Sequence, residues 1–337
     1  LAAGVRAKVD RFRLRWGGWT DQDLGDVVAS SADADEDCDV KAERLRVLRV
    51  DQAMDRSGDS RAPPGNGDQD STAETEPEMD TVLIRGLTKV YPAPMSSAQQ
   101  PPKCAVRGLS LGVKRGECFG LLGINGAGKS TTLQILTRDL QATSGSLKVE
   151  GNSITSGAVS RLLGYCPQTD PLLPLMTVNE TLLLYGGLKG VGSENLGDNA
   201  RNCRRFRWRG SGRDDALQKA ASSALRAVSL GPTENQLAGI LSGGNKRKLS
   251  LAVALIGEPP VLLLDEPSSG MDPGARRSMW EVISSLSASR SVILTTHSME
   301  ECEAVCDRLG IMVGGRLRCL GTSQHLKGRF GGGYSIE

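Results

Sequence analysis

The run GINGAGKS at residues 123–130 constrains the fold of this sequence more than any other feature. It matches the pattern G-x-x-x-x-G-K-[ST] at every fixed position. The apolar residues 118–122 precede it as a short buried strand, and a helical pattern follows from Lys129 to Leu140. Strand, glycine-rich loop and helix in this order predict a phosphate-binding loop on an α/β fold.

Each residue type in this loop has a physical role. Glycines let the backbone turn tightly, so that N–H groups face inward around a β-phosphate, and the helix N-terminus directs its dipole at the same anion. Lys129 offers a positive charge to the β- and γ-phosphate oxygens, and the Ser130 hydroxyl is a ligand for Mg²⁺. Thr131 can hydrogen-bond the α-phosphate from the first helical turn. The predicted nucleotide-binding residues of the loop are Gly123, Asn125, Gly126, Gly128, Lys129, Ser130 and Thr131.

Two carboxylates follow a second apolar strand, VLLL at residues 261–264. Open α/β sheets bind ligands at the carboxyl ends of their strands, where these two side chains emerge. We expect Asp265 to hold Mg²⁺, directly or through water. We expect Glu266 to act as the base, or to orient the attacking water, near the γ-phosphate.

Three further motifs narrow the class of phosphate-loop protein. The run LSGGN at 241–245 precedes a helix whose first N–H groups, with the Ser242 hydroxyl, suit a γ-phosphate, so Ser242, Gly243 and Gly244 are predicted binding residues. Gln168 can reach Mg²⁺ or the attacking water. His297, after the strand Val292–Thr295, can hydrogen-bond the γ-phosphate. A lone Gln or His is usually structural, so the order of all five motifs carries the prediction.

Composition excludes several other classes. The formal charge of +2 gives no general argument for nucleic-acid binding, and apolar runs such as 261–264 are far shorter than the roughly 18 residues that a membrane span needs. No secretory signal opens the sequence, which begins at Leu1 rather than Met, so we take it as a fragment or a processed piece. The 8 cysteines form no C-x-x-C pair. The helical i, i+4 spacing of Cys302 and Cys306 could indicate a metal site, but we interpret the cysteines as reduced cytosolic thiols.

Residues 1–80 differ in composition from the rest and are predicted to be a largely disordered linker or tail. The basic and aromatic run at 11–16 could lie on a lipid surface or form a solvated tail, and both readings stay open. An acidic stretch follows from Asp21 to Asp39, then a short amphipathic helix at Lys41–Val50 and a linker poor in apolar residues from Asp55 to Asp80.

Strands alternate with helices from Thr81 onward, which predicts a mainly parallel sheet covered on both faces. Between about Val178 and Leu249 only helices are expected, so a helical subdomain at about 169–250 is inserted into the core. Within it, an insertion at about 192–213 carries five arginines between 201 and 209. A solvated loop is preferred there over a nucleic-acid patch.

The order of the motifs resembles the ATP-binding cassette (ABC) superfamily over residues 81–337. The resemblance implies a RecA-like phosphate-loop core, an antiparallel β subdomain and an all-α subdomain carrying LSGGN. On this template Tyr91 stacks on adenine, a buried core tyrosine being the alternative, and the run SGMD at 269–272 meets a partner domain. The runs GNKRKLS (244–250), HSMEECE (297–303) and RCLGT (318–322) are similar to subfamily A, most of all to its second, C-terminal cassette.

This resemblance implies an ATPase with ATP and Mg²⁺, whose active site is shared head-to-tail with a second cassette. It further implies membrane domains outside this chain, a cytoplasmic cassette on a membrane transporter that by analogy exports lipid, and no nucleic-acid partner. Two alternatives stay open: a soluble ABC ATPase acting on ribosomes or nucleic acid, and a regulatory cassette that does not hydrolyse ATP.

Overall fold

The protein is described by a computed structural model covering residues 37–57, 80–92, 102–192 and 211–330. The expectations for residues 1–36 and 58–79, and for the arginines at 201–209, lie outside the described residues. Within the described ranges, ten strands form two sheets. They are β1 (Val82–Tyr91), β2 (Lys103–Val113), β3 (Cys118–Leu122), β4 (Ser144–Val149), β5 (Asn152–Ser153), β6 (Leu163–Cys166), β7 (Val261–Asp265), β8 (Ser291–Thr296), β9 (Arg308–Val313) and β10 (Arg316–Gly321).

Nine α-helices accompany these strands in the described ranges, with two 3₁₀ turns at Gly231–Thr233 and Ala238–Ile240. The helices are α1 (Cys38–Ser57), α2 (Lys129–Leu136), α3 (Val159–Leu162), α4 (Val178–Lys189), α5 (Ser211–Ala227), α6 (Gly243–Leu255), α7 (Pro273–Ser287), α8 (Met299–Val305) and α9 (Ser323–Phe330). No described helix combines the length and the apolar character needed to cross a membrane.

The larger sheet has six strands in the order β10-β9-β3-β8-β7-β6. The pairs from β9 to β6 are parallel, and only β10 runs antiparallel to its neighbour β9. All residues of β7 and β8 are buried, as expected for parallel strands covered on both faces. The predicted α/β core with buried strands is confirmed.

The smaller sheet has four strands in the order β2-β1-β4-β5, and all its pairs are antiparallel. One hydrophobic cluster lies between the two sheets and includes Phe119, Leu133 and Leu147. This cluster fixes the smaller sheet against α2 and the phosphate loop, because the side chains of β3 and α2 are shared by both layers.

Helices α4, α5 and α6 occupy the interval between β6 and β7, where the sequence predicted only helices. Leu182, Leu225 and Val253 from these helices share one buried cluster with Leu264 of the parallel sheet. The helical insert is therefore packed onto the sheet rather than held apart from it. Its boundary at about 169–250 remains a prediction.

Helix α1 is longer than the sequence indicated: the short helix predicted at Lys41–Val50 spans Cys38–Ser57. Val47 and Val50 pack with Leu83 of β1 in a small cluster. These few apolar residues form the face of α1 that packs on the smaller sheet. The sequence placed this segment in the expected tail, whereas the structure docks it against that sheet.

Candidate nucleotide-binding site

The phosphate loop connects β3 to α2 and is confined by two neighbouring strands. Gly128 is the N-cap of α2 with φ of 106°. A Cβ atom on Gly128 would lie 2.4 Å from the carbonyl oxygen of Ala105, and one on Gly123 would lie 2.6 Å from that of Met312. Glycine is thus required at both positions by close backbone approach, and at Gly128 also by its left-handed conformation.

The tip of the loop faces solvent while its base is buried. Residues 124–126, which include the predicted Asn125 and Gly126, are exposed, and residues 127–129 are buried. Gly126 has φ of 82°, so the turn uses the left-handed freedom of glycine. Thr131 lies half-buried in the first turn of α2. The loop is accessible where a ligand would enter and rigid where the sheet supports it.

Lys129 is a buried cation directed into its own loop. Its Nζ donates to the carbonyl oxygens of Gly123 (2.6 Å) and Ile124 (3.2 Å). Burial lowers the pKa of Lys129, while the nearby carboxylates of Glu266 and Asp265 act to raise it. Neutral carbonyl oxygens are weaker acceptors for a buried ammonium than an anion is. The arrangement therefore suits a site in which an anionic ligand becomes the stronger acceptor of Lys129.

Ser130 and Asp265 are brought together from α2 and β7. The Ser130 hydroxyl donates to Asp265 Oδ1 at 3.2 Å, and the hydroxyl of Thr295 donates to the same oxygen. Asp265 is 3% exposed, at the carboxyl end of a central strand. The two residues predicted to hold a metal therefore adjoin each other as hard oxygen donors.

Glu266 is the centre of the site. Its Oε2 accepts a hydrogen bond from Gln168 Nε2 at 3.1 Å. Its Oε1 lies 3.4 Å from His297 Nδ1 and 3.9 Å from Lys129 Nζ. Three residues predicted separately from the sequence thus converge on the carboxylate of Glu266, which is 8% exposed against 57% for His297.

The backbone of Glu266 is held in a conformation that non-glycine residues rarely adopt, with φ of 47°. Such a residue costs on the order of 1–3 kcal/mol and persists only where its surroundings enforce it. Here the Glu266 N–H donates to both the carbonyl and the hydroxyl oxygen of Thr295, each at 3.1 Å. The strain aims the carboxylate out of the strand toward the phosphate loop.

Arg247 is a site residue that the sequence reasoning missed. Its guanidinium, 4% exposed, extends from α6 to the two segments that carry Gln168 and Glu266. It donates to the carbonyl oxygens of Pro167, Gln168, Asp265, Glu266 and Pro267 and to the side chain of Asp170. The available signal was an arginine shortly before the apolar run at 251–256, in a helix where an unpaired charge is too costly to bury.

Ser242, Gly243 and Gly244 of the LSGGN run, called the signature below, stand apart from the residues around Glu266. Ser242 is the N-cap of α6, and its Oγ accepts from Asn245 N at 3.3 Å. Ser242 and Gly243 are exposed, and a Cβ on Gly244 would lie 3.1 Å from that of Ala275, near the start of α7. Across the described ranges, no hydrogen bond joins Ser242, Gly243 or Gly244 to the phosphate loop.

Tyr91 ends β1 and is half-buried, paired in register with Lys103 of β2. The Lys89 ammonium lies 5.3 Å from its ring centroid. Because β2 also carries Ala105 against Gly128, Tyr91 lies at the end of the smaller sheet that borders the phosphate loop. Its role with adenine remains a prediction.

The residues present fit a magnesium nucleotide. The glycine cradle and the buried Lys129 suit phosphate oxygens, and Ser130, Asp265 and Gln168 offer the oxygen ligands that Mg²⁺ prefers. Lys129, Ser130, Gln168, Asp265, Glu266 and His297 are gathered by the fold into one site, whereas the signature residues lie at the end of a different helix.

Similarity to known proteins agrees with this geometry. The family model described as ABC transporter matches residues 106–269. The phospholipid-transporting ATPase ABCA3 of Rattus norvegicus is 42% identical over 338 residues, which is 99% of this chain and 16% of that protein. The retinal-specific phospholipid-transporting ATPase ABCA4 of Homo sapiens is 47% identical over 260 residues, 76% of this chain and 10% of that protein. The ATP-binding cassette sub-family A member 2 of Homo sapiens is 45% identical over 310 residues, 91% of this chain and 11% of that protein.

Solved structures show the same fold at lower identity. The ATP-binding cassette MJ0796, solved as a dimer in a post-hydrolysis state with ADP and Pi, aligns with a TM-score of 0.58 at 22% identity, over 72% of this chain and 98% of that one. CbiO1 from Clostridium perfringens aligns with a TM-score of 0.59 at 22% identity, over 74% of this chain and 91% of that one.

The chain spans only 10–16% of the length of these subfamily A relatives. It has the cassette fold, and its five motifs follow one another in the order described above. The chain therefore belongs to the ABC transporter family, as an ATPase cassette similar to those of subfamily A.

Proposed function

We propose that this chain is the ATP-hydrolysing cassette of a larger membrane transporter that moves lipid, and that it works head-to-tail with a second cassette on the cytoplasmic side. The observation that carries the proposal is the convergence of Gln168, His297 and Lys129 on the carboxylate of Glu266. A carboxylate, an amide, an imidazole and an ammonium together are the groups that hydrolysis of a γ-phosphate uses.

In this proposal Glu266 accepts the proton of the attacking water or orients that water. Gln168 and His297 hold the carboxylate from either side, and His297 also reaches the γ-phosphate. Lys129 balances the charge of the β- and γ-phosphates, with the loop N–H groups around them. Ser130, Asp265 and Gln168 would hold Mg²⁺, which neutralises charge that develops on the phosphate oxygens.

The remaining contacts to the nucleotide are assigned to residues of the loop and to one aromatic side chain. The loop residues are Gly123, Asn125, Gly126, Gly128 and Thr131, and Tyr91 would stack on adenine. Ser242, Gly243 and Gly244 are assigned to the nucleotide of the partner cassette. Their exposure at the N-terminus of α6 supports this, because N–H groups there are free to bind an anion from another chain.

Lipid as the substrate is supported by the names of the relatives, two of which are phospholipid-transporting ATPases. Similarity to the second, C-terminal cassette of subfamily A rests on the sequence runs at 244–250, 297–303 and 318–322. Membrane domains and the second cassette would lie in the part of the transporter that this chain does not span.

The shared active site can be tested by mixing two inactive variants. Glu266→Gln removes the base, and Gly243→Asp places a carboxylate where the partner's γ-phosphate would bind. The second variant is expected to fold, since nothing lies within 4 Å of a Cβ on Gly243 and an acidic residue suits the first turn of a helix. In a head-to-tail dimer of the two, one of the two sites is intact, so mixing should restore roughly a quarter of the wild-type rate of phosphate release.

A matched mixture provides the control. Lys129→Ala and Glu266→Gln damage the same half of each site, so mixing them should restore nothing. The head-to-tail proposal fails if both mixtures behave alike, or if a demonstrated monomer hydrolyses ATP over many turnovers at a rate independent of protein concentration.

A further inference from the structure

Three strands form the walls of the phosphate loop. β3 leads directly into Gly123. β9 ends beside it, with the Met312 carbonyl oxygen against Gly123, and β2 places the Ala105 carbonyl oxygen against Gly128. We expect a displacement of these strands along their length to reach the loop, because their backbones approach both glycines too closely to leave room for a Cβ atom.

The opposite ends of the same three strands meet at one guanidinium. Arg308, the first residue of β9, donates to Glu117 Oε1 at 2.7 Å, and Glu117 immediately precedes β3. Arg308 also donates to the carbonyl oxygen of Gly112, near the end of β2, at 2.6 Å. Its third partner is Glu43 of α1, at 3.3 Å. We call Glu43, Glu117 and Arg308, with the Gly112 backbone, the strand clasp.

Glu43 is the member of the strand clasp that comes from helix α1. It is 5% exposed and accepts hydrogen bonds from the Gly112 N–H at 2.9 Å and from Arg46 at 2.8 and 2.9 Å. Burial acts to raise its pKa, but the hydrogen bonds from Arg46 and the charge of Arg308 outweigh burial and lower it. Glu43 is therefore a buried, charged carboxylate that is fully engaged only while α1 is docked.

We propose that Glu43 is a positioning residue for nucleotide binding, which couples the docking of α1 to the geometry of the phosphate loop through Arg308 and the strands β2, β3 and β9. The proposal rests on ATP binding at the phosphate loop, as proposed above. Loss of the Glu43 carboxylate removes one of the two acidic partners of Arg308 and the acceptor of the Gly112 N–H, so the strand clasp must rearrange. The docking of α1 would thereby affect nucleotide binding, although α1 and the phosphate loop lie at opposite ends of these strands.

The coupling must also operate in reverse. If docking of α1 favours ATP binding, then ATP must favour docking of α1 by the same factor. Bound ATP should therefore slow amide hydrogen exchange in α1, although no residue of α1 belongs to the site.

Asp51 provides a matched control on the same helix. It pairs with Arg85 of β1 at 2.6 Å and with Lys148 of β4 at 2.8 Å. It thus fixes α1 to the smaller sheet without touching the strand clasp. Asp51→Asn removes one buried acid of α1, as Glu43→Gln does, but leaves Arg308 and its partners in place.

The experiment compares both variants with wild type in the 337-residue chain. ATP affinity is measured by titration with a labelled nucleotide, and hydrogen exchange is measured by mass spectrometry over residues 38–57 and 123–130. Glu43→Gln should weaken ATP binding about fivefold or more and speed exchange in the phosphate loop, a typical size for coupling between sites. Asp51→Asn should speed exchange in α1 but leave it mostly docked, with Glu43 still in the strand clasp, so ATP affinity should stay within about twofold of wild type.

Three results would overturn the proposal: an unchanged ATP affinity in Glu43→Gln, an equal loss in both variants, or no effect of ATP on exchange in wild-type α1. The last measurement needs no substitution, so it decides the matter even if Glu43→Gln fails to fold. Failure of the wild-type chain to bind ATP at all would instead refute the proposed function.

Discussion

The two halves of the nucleotide machinery in this chain are built in opposite ways. The catalytic half, at the carboxyl ends of β7 and β8, is assembled: Glu266 already contacts Gln168, His297 and Lys129, and Asp265 is bonded to Ser130. The signature half, at the N-terminus of α6, is exposed and bonded only within its own first turn. In the proposed function, the catalytic groups are fixed in advance, whereas the signature stays open for a ligand that the partner cassette would hold.

Arg247 connects the two halves. It belongs to α6 yet contacts the backbone around Gln168 and Glu266. In the proposed head-to-tail dimer, a shift of α6 on binding a partner would therefore reach the backbone of Glu266. Substitutions at Glu266, Arg247, Lys189 and Ser242 test this difference between the assembled catalytic half and the exposed signature half.

The largest effect is expected in the catalytic half. Glu266→Gln should keep ATP binding, because the phosphate loop is unchanged, and lower turnover by roughly 10²–10⁴, the usual scale for a positioned base. Equilibrium titration and phosphate release measure the two quantities. A fall in turnover of less than about tenfold would remove Glu266 from this role.

Arg247 tests the connection between the halves. Arg247→Met leaves several buried carbonyl oxygens and Asp170 without their donor, so the free energy of unfolding should fall by about 3–5 kcal/mol. Denaturant titration measures it. The matched control is Arg226→Met on α5, where an exposed guanidinium donates to one carbonyl of its own helix, and a change of about 0.5 kcal/mol at most is expected.

The far end of the signature helix is held by Lys189. Its Nζ donates to the carbonyl oxygens of Ala254 at 3.0 Å and Ile256 at 2.9 Å, and burial lowers the pKa of Lys189 from 10.5 to about 8. The unfolded chain therefore binds the proton more tightly than the folded one between these two values. The stability of wild type relative to Lys189→Met should be lowest below pH 8 and rise toward pH 10.5, by up to about 3 kcal/mol.

Denaturant titrations of both proteins between pH 7 and pH 10 would show this rise as a difference, from which groups common to both cancel. A pH-independent difference would mean that the ammonium is not desolvated in the folded protein.

The smallest effect is expected at the N-cap of the signature helix. Ser242→Ala removes the acceptor of the Asn245 N–H and should cost about 0.5–2 kcal/mol of unfolding free energy. Ser242→Asp keeps a cap and should restore that stability, but its charge should still oppose the partner's phosphate. If Ser242→Asp supports wild-type ATPase activity, the signature does not approach a phosphate.

Much of the fold could be predicted from the sequence because its signals are local. β3, β7 and β8 are continuous apolar runs, and the helical insert contains no strand pattern. β4 and β10 escaped prediction, since each mixes exposed and buried residues over six positions. Helix α1 was underestimated because two or three apolar side chains are enough to dock it when its acidic residues find partners in the sheets.

The candidate site divides in the same way. The phosphate loop and the pair Asp265–Glu266 are contiguous motifs, in which neighbouring residues must act together, so the sequence alone identified them. The partners of Glu266 were named individually, but nothing in their spacing showed that they share one carboxylate. Gln168 lies 98 positions from Glu266, and Thr295, to which the sequence assigned no role, lies 29 positions from it.

By itself, the sequence determined the order of the motifs and predicted which residues bind and cleave a nucleotide, because that chemistry depends on residue types in fixed local order. Only the tertiary structure decided how they are held: the strained backbone of Glu266, the reach of Arg247 and the strand clasp that joins α1 to the phosphate loop. These depend on buried charges meeting over long separations in the chain, and a buried charge finds its partner only when the whole fold has excluded water around it.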